Sequence, residues 1–347
     1  MKRKKDQRVI RTNPCPHCRV CGARGKILYE GLRDCLFGAP GAWNFKQCPN
    51  PGCGLIWLDP MPLKEDIGIA YQHYYTHHDI STPSNTWARR AYDAIKDGYV
   101  ALRYGYPDTP TWKKLLGMLI YLHPGRRADF DFSVMYLPAY RKGDLLEVGC
   151  GSGEMLTRIQ GLGWHVEGVD FDSCAVQNAR SKGLHVQLGT LEEQSYPDNH
   201  FDVITMSHTI EHVYDPVGYL GESYRILRDG GQLVLVTPNN ESLGHKSFRA
   251  AWRGLEVPRH LYLFSAKVLQ KLSHMVGFRS SNVKVTIRNA RGIYLASHAL
   301  QRAEGNGKGE AFIPNPNVKA EIWQLMEWVL CRINPNLGEE ITLLAVK

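Results

Sequence analysis

The sequence predicts an α/β protein, a doubly wound parallel sheet preceded by a small cysteine-bearing module and a helical arm. Three observations carry this. Leu145-Leu146-Glu147-Val148 runs into Gly149-Cys150-Gly151-Ser152-Gly153, and Met155, Leu156 and Ile159 then recur at helical spacing, giving strand, glycine turn and helix in succession. Apolar strands and amphipathic helices go on alternating to Thr237, the pattern of repeated βαβ units. Six of the nine cysteines fall within the first 53 residues, where they can build a metal site instead of a disulfide framework.

Composition bounds the rest. A chain of 347 residues, 43% hydrophobic and 22% charged, is long enough to bury a core and too mixed to be a membrane span, a collagen or a disordered tail. Of the formal charge of +8, the first twelve residues hold +5, because Lys2, Arg3, Lys4, Lys5, Arg8 and Arg11 face only Asp6. Residues 1–14 therefore read as a solvated basic tail, and the modest charge elsewhere makes nucleic acid an unexpected partner. No apolar run follows those charges and none approaches membrane-spanning length, so the expected location is the cytoplasm.

Residues 15–60 read as a zinc ribbon. Cys18-Arg-Val-Cys21-Gly22 and Cys48-Pro-Asn-Pro-Gly-Cys53-Gly54 both end in Cys-Gly, as a knuckle needs when its amides turn toward thiolate sulfur and the next residue takes positive φ. Four thiolates suit tetrahedral zinc, so Cys18, Cys21, Cys48 and Cys53 are the preferred ligands, with Cys15-Pro-His17-Cys18 offering a competing pair. Residues 61–140 hold a polar-aromatic stretch, Tyr71, His73, Tyr74, Tyr75, His77 and His78, too wet for a core and suited to a lid over a ligand or an interdomain surface. Helices follow over 87–137, with turns at Tyr106-Pro107, Thr109-Pro110 and His123-Pro124-Gly125.

In residues 141–347, a second strand over 164–169 ends in Asp170, placed to accept both hydroxyls of a ribose. A helix near 175–182, strands at 185–188 and 201–206, a helix over 216–227 and a strand over 232–237 complete the alternation, with the ligand beyond the carboxyl ends of the strands. A dinucleotide site would want a third glycine where Glu154 stands, and this carboxylate opposes a pyrophosphate at the helix N-terminus. No Gly-Lys-Ser/Thr is present for a P-loop. A cationic sulfonium cofactor meets no such objection.

Glu147-x-Gly149-x-Gly151-x-Gly153 resembles the motif of class I S-adenosylmethionine (SAM) dependent methyltransferases. Phe201-Asp202-Val203-Ile204, Glu211-His212-Val213-x-Asp215-Pro216, Leu227-x-x-Gly230-Gly231, Thr237-Pro238-Asn239, Trp252-x-Gly254-Leu255-x-x-Pro258-Arg259-His260-Leu261 and Gly277-Phe278 look like successive blocks of the ubiquinone-biosynthesis-like group. The N-terminal cysteine pairs resemble its zinc-ribbon subset, which includes sugar methyltransferases. The resemblance implies a Rossmann-like seven-stranded sheet whose cofactor residues are Glu147, Gly149, Gly151, Gly153, Asp170 on the ribose, Phe171 beside the adenine, and Thr190 and Leu191 at its edge. Many relatives carry Asp where Thr190 stands.

His208, Glu211 and His212 leave the fourth strand of the sheet beside the methyl donor, which groups His208 with the cofactor residues. His208-x-x-Glu211-His212 also fits a zinc-peptidase pattern, but Asp215-Pro216 starts a new helix and leaves it barely one turn. The resemblance assigns Glu211, His212 and Tyr75 to the acceptor site. His212 is the expected general base, and Arg259 and His260 are expected on the substrate side of a mobile-looking insertion, His260 gripping the acceptor. A helical insertion over 292–338 separates the strands at 283–287 and 341–346. Val318, Ile322, Leu325, Met326, Val329 and Ile333 line one face of its helix for core packing, and Trp323 and Trp328 offer a homodimer or membrane-surface face. The expected function is methyl transfer to a small-molecule acceptor, a sugar or other hydroxylated metabolite, at O or C. The alternative is a zinc-ribbon nucleic-acid-binding protein with a degenerate core.

Overall fold

A computed structural model describes residues 9–72, 86–106, 109–305, 313 and 317–347. The N-terminal module has five strands: β1 (Thr12–Asn13), β2 (Lys26–Leu32), β3 (Trp43–Gln47), β4 (Ile56–Leu58) and β5 (Met61–Pro62), β1 pairing with β5 and β2-β3-β4 forming an antiparallel sheet. The arm follows as α1 (Trp87–Tyr104), α2 (Thr111–Gly117), a 3-10 turn (Met118–Leu122) and α3 (Pro124–Ser133). Thr86 caps α1 by accepting from Arg89 N, and Gly105 at φ 75° ends it. Gly98 and Gly117 let α1 and α2 cross at backbone contact, since a Cβ on Gly98 would lie 1.8 Å from Lys113 O.

The second half is one seven-stranded sheet. Its strands are β6 (Asp144–Val148), β7 (His165–Asp170), β8 (Val186–Leu188), β9 (Phe201–Ser207), β10 (Leu227–Pro238), β12 (Ser280–Thr286) and β13 (Glu340–Val346), in the order β12-β13-β10-β9-β6-β7-β8, with only β13 antiparallel to its neighbours. Helices α4 (Glu154–Gly161), α5 (Ser173–Ser181) and α6 (Pro216–Ile226) connect the parallel strands. Asp172 and Asp215 cap α5 and α6 by accepting amides of the first turn. Strand order reverses between β6 and β9, which opens a crevice beyond their carboxyl ends. The doubly wound parallel sheet expected from the β/α alternation is thus present, and β10 begins at Leu227, five residues before the expected Gln232, with a register shift between them.

Three expectations are corrected by packing. The N-terminal module is not a separate ribbon: β11 (Tyr262–Leu263), from the second half, is the fourth strand of its sheet, pairing with Trp57 and Ile56. Trp43, Trp57, Trp252 and Phe264 share one buried cluster with Val148, Ile204 and Leu235. For the same reason the segment 252–264 is almost wholly buried, not a mobile insertion. The last two helices are α9 (Ala290–Gly305) and α10 (Val318–Ile333), preceded by α7 (Leu243–Phe248) and α8 (Ala266–Met275). α10 buries Ala320, Gln324 and Glu327 and exposes Val318, Ile322, Leu325, Met326, Val329 and Ile333, so its apolar row does not fill the core. Trp323 points inward against Tyr294, with centroids 5.1 Å apart, and Arg332 covers Trp328. No helix among the described residues is long and apolar enough to cross a membrane.

Candidate active site

The crevice is built by the turn after β6. Gly149, Gly151 and Gly153 have φ of 74°, 53° and 77°, a run of left-handed residues that side chains disfavour. A Cβ on Gly149 would meet Thr209 Oγ1 at 2.4 Å and one on Gly153 would meet Leu184 at 2.3 Å, whereas Gly151 faces open space. Gly151 is therefore where a ligand can approach the backbone. Asp170, at the end of β7, accepts from Gly151 N at 2.8 Å through Oδ2 and from Asp172 N at 2.9 Å through Oδ1. Burial raises its carboxyl above the ordinary range, and each oxygen keeps a lone pair for a hydroxyl donor.

Glu147 lies beneath, fully inside. Burial and the nearby charge of Asp170 push its carboxyl up to about 8, and Glu147 Oε2 has no hydrogen-bond partner among the described residues. Two buried carboxyl groups, one with an orphaned oxygen, beside a glycine turn open at Gly151, fit a compact cationic ligand. At the rim, Phe171 is half exposed and its ring meets that of Tyr71 edge-on at 5.3 Å. Thr190 is exposed, with its amide donating to Glu193, while Leu191 is buried with its amide on the Tyr219 hydroxyl.

The opposite wall comes from the segment after β9. His208, at φ 53°, donates its backbone N–H to Val236 O, and its ring lies between two carboxylates: Nδ1 is 3.3 Å from Glu211 Oε1 and Nε2 is 3.2 Å from Glu340 Oε1. Burial lowers its basicity, but the two glutamates outweigh that and raise it to about 9. The imidazole is thereby committed on the β13 side. Glu211 is wholly buried and Thr237 Oγ1 donates to its Oε2 at 2.8 Å. Burial alone would raise its carboxyl, but His208, with His212 and His260 behind, holds it down at about 2.

His212 is half-buried, and its Nδ1 lies 2.9 Å from Arg259 O and 3.1 Å from the Tyr71 hydroxyl. A carbonyl only accepts, so Nδ1 carries the proton and Nε2 is the basic nitrogen of the neutral ring. His260 stands 4.8 Å behind it, centroid to centroid, and its Nδ1 lies 2.7 Å from Gly254 O. Burial drops its basicity to about 4, so it is a neutral ring inside the protein, not a group gripping substrate from a mobile loop. Arg259 is likewise interior, paired with Asp34 and Glu256. Tyr75 lies outside the described residues. The tyrosine found at this wall is Tyr71, from the 3-10 turn Ile67–Tyr71, and it joins the Phe171 rim to His212. Its only signal in the sequence was its place at the head of the aromatic stretch.

In the N-terminal module, the sulfurs of Cys18, Cys21, Cys48 and Cys53 all lie within 4.8 Å of one another, with Cys18–Cys53 at 3.6 Å and Cys21–Cys48 at 3.3 Å. Tetrahedral zinc–thiolate bonds of about 2.3 Å require sulfurs about 3.8 Å apart, so the donor set fits. Gly22 and Gly54 take φ of 72° and 71°, and Gly54 N bonds back to Asn50 O, as the knuckle reading expects. Cys15 is not in the sulfur cluster; its backbone carbonyl accepts from the Trp57 indole at 2.7 Å.

Part of the α/β half is similar to known proteins. Residues 126–283 match a family model described as a methyltransferase domain. A probable S-adenosylmethionine-dependent methyltransferase of Mycolicibacterium smegmatis is 36% identical over 98 residues, covering 28% of this chain and 38% of the relative. A demethylmenaquinone methyltransferase of Listeria monocytogenes is 31% identical over 120 residues, 31% of this chain and 51% of the relative. A ubiquinone biosynthesis O-methyltransferase of Alkalilimnicola ehrlichii is 29% identical over 142 residues, 39% of this chain and 56% of the relative. The matches span between 38% and 56% of the lengths of these three curated relatives. Among solved structures, a SAM dependent methyltransferase from Archaeoglobus fulgidus aligns with 65% of this chain and 94% of its own, at 20% identity and a TM-score of 0.44. Residues 126–283 are thus similar to a methyltransferase domain, and the matching relatives include one named as SAM-dependent.

Proposed function

We propose that the whole chain transfers a methyl group from SAM to a hydroxylated small-molecule acceptor, with His212 Nε2 receiving the hydroxyl proton. Bound SAM supplies the electrophilic methyl carbon: as the acceptor oxygen bonds to it, the sulfur–methyl bond breaks and its electron pair stays on sulfur. Glu147 and Asp170 would hold the cofactor's positive charge and ribose, and the open face at Gly151 would let it approach the backbone. His212 is oriented by the Arg259 carbonyl and backed by His260, which leaves Nε2 as the nitrogen to receive the proton. Glu211, fixed by Thr237 and His208, keeps negative charge behind the ring that becomes cationic. The observation that carries this reading is the His212 Nδ1 contact with Arg259 O, which selects the tautomer with a basic Nε2. One relative is named as a ubiquinone biosynthesis O-methyltransferase, so a phenolic hydroxyl is the acceptor class we favour. Cys18, Cys21, Cys48 and Cys53 bind one structural zinc in this reading.

The test is methyl transfer from labelled SAM to a panel of catechols and hydroquinones, with His212→Asn as the key variant. An asparagine amide can still donate to Arg259 O but provides no base, so kcat should fall about 10²–10⁴-fold with SAM affinity retained. Near-wild-type kcat in His212→Asn would remove His212 from the reaction.

A further inference from the structure

One surface lies outside the active site and the methyl-transfer reading does not use it. Residues 109–127 contain Lys113, Lys114, Arg126 and Arg127 and no Asp or Glu. Within this stretch, Trp112, Leu115, Met118, Leu119, Tyr121 and Leu122 are between 48% and 84% exposed. The segment is not loosely attached. Gly117 sits against the backbone of Gly98 and Tyr99, and Ile120 is buried in a cluster with Tyr99 and Phe130. Two anchors thus fix one side of the segment, Tyr121 packs edge-on against Tyr99 at 5.5 Å, and Trp112, Leu115, Met118, Leu119 and Leu122 remain more than half exposed, a concentration of exposed apolar side chains that marks an interaction surface.

From this patch we infer a docking surface for the face of an anionic phospholipid bilayer. Charge and side-chain chemistry select that occupant. Lys113 shares Asp97 at 2.9 Å, yet the stretch itself offers only cations around its apolar centre, which complements lipid phosphates. A twofold contact with a second copy would bring the same cations together with no carboxylate from the patch between them. Single-stranded nucleic acid would call for a run of stacking rings, and four of the six side chains here are aliphatic. Trp112 has the amphipathic ring that settles at headgroup depth, with Leu115, Leu119 and Leu122 to enter the acyl boundary.

The experiment floats the full chain with vesicles of phosphatidylglycerol and phosphatidylcholine, the anionic lipid at about 30%, against vesicles of phosphatidylcholine alone. Binding should be at least about tenfold tighter to the anionic vesicles and should weaken as salt is raised. The double variant Leu115→Glu/Leu119→Glu changes exposed positions only, so its thermal melt should stay at wild type while vesicle binding falls by more than about tenfold. Lys114→Glu/Arg127→Glu should lower binding by at least about fivefold per site, the loss expected from one basic residue near an anionic surface. The inference is overturned if the wild type binds neither vesicle, or if binding survives both double variants, which would leave it to the basic residues Lys2 to Lys5. It is also overturned if Leu115→Glu/Leu119→Glu dissociates a dimer, or if polyuridine binds this face more tightly than the anionic vesicles do.

Discussion

Removing the Arg259 guanidinium should loosen the N-terminal module and the active site together. Its Nη1 and Nη2 donate to Asp34 Oδ2, each at 2.9 Å, Nη1 also donates to Ala70 O at 2.9 Å, and Nε donates to Glu256 Oε1 at 3.1 Å. The ring of Phe37 lies 4.7 Å away, and the side chain is wholly buried. One cation therefore ties the loop at Asp34, the turn that carries Tyr71, and the residue whose carbonyl orients His212. Arg259→Met keeps the volume and strands the buried Asp34 carboxylate. Breaking one side of a buried pair costs about 3–5 kcal/mol. Asp34 retains backbone donors from Leu36, Phe37 and Ala39, which offset part of its lost charge, so about 3 kcal/mol is expected. Urea unfolding followed by tryptophan fluorescence measures this, and Asp34→Asn in the Arg259→Met background should recover about 2 kcal/mol. Both variants should also lower kcat, because the Arg259 carbonyl shifts away from His212. A loss under about 1 kcal/mol, with no coupling between the two positions, would refute the reasoning.

Two further outcomes follow from the same geometry. His208 is more basic in the folded protein, near 9, than in the unfolded chain, so its contribution is complete below about pH 6.5 and is lost as pH rises through 9. Allowing for its partial exposure, unfolding measured from pH 6 to 10 should show about 1–2 kcal/mol lost on this limb, and His208→Gln should remove the slope. For the metal, one zinc per chain should co-purify, and Cys21→Ser or Cys53→Ser should lose it; unchanged metal content in both would reject this ligand set. Because β11 belongs to the module's sheet, those variants should also lower the melting temperature of the methyltransferase domain instead of leaving it independent.

What the sequence disclosed was local chemistry. The glycine turn needs positive φ at three places, and only glycine takes these without penalty, so 149–153 was legible together with Asp170 one strand on. The start of α6 was legible because Asp215-Pro216 is a local signal of cap and first helical residue. The long-range pairings were not. Asp34 and Arg259 are 225 residues apart, and nothing in either segment announces the other. Arg259 and His260 sit in a Pro- and Gly-containing stretch that reads as an exposed loop, yet β11 pulls it into the sheet of the N-terminal module. Periodicity also misled on α10, where spacing identified an apolar face but could not say that it would be exposed and that Gln324 and Glu327 would be buried residues.

The crevice lined by Gly151 and Asp170 is the proposed SAM site. Calorimetric titration of the purified chain tests it most directly. SAM should bind 1:1, NAD should not bind, and Asp170→Ala should lose about 1.5–3 kcal/mol, the worth of hydrogen bonds to a charged carboxylate. Binding of NAD without binding of SAM, or SAM affinity unchanged in Asp170→Ala, would contradict it.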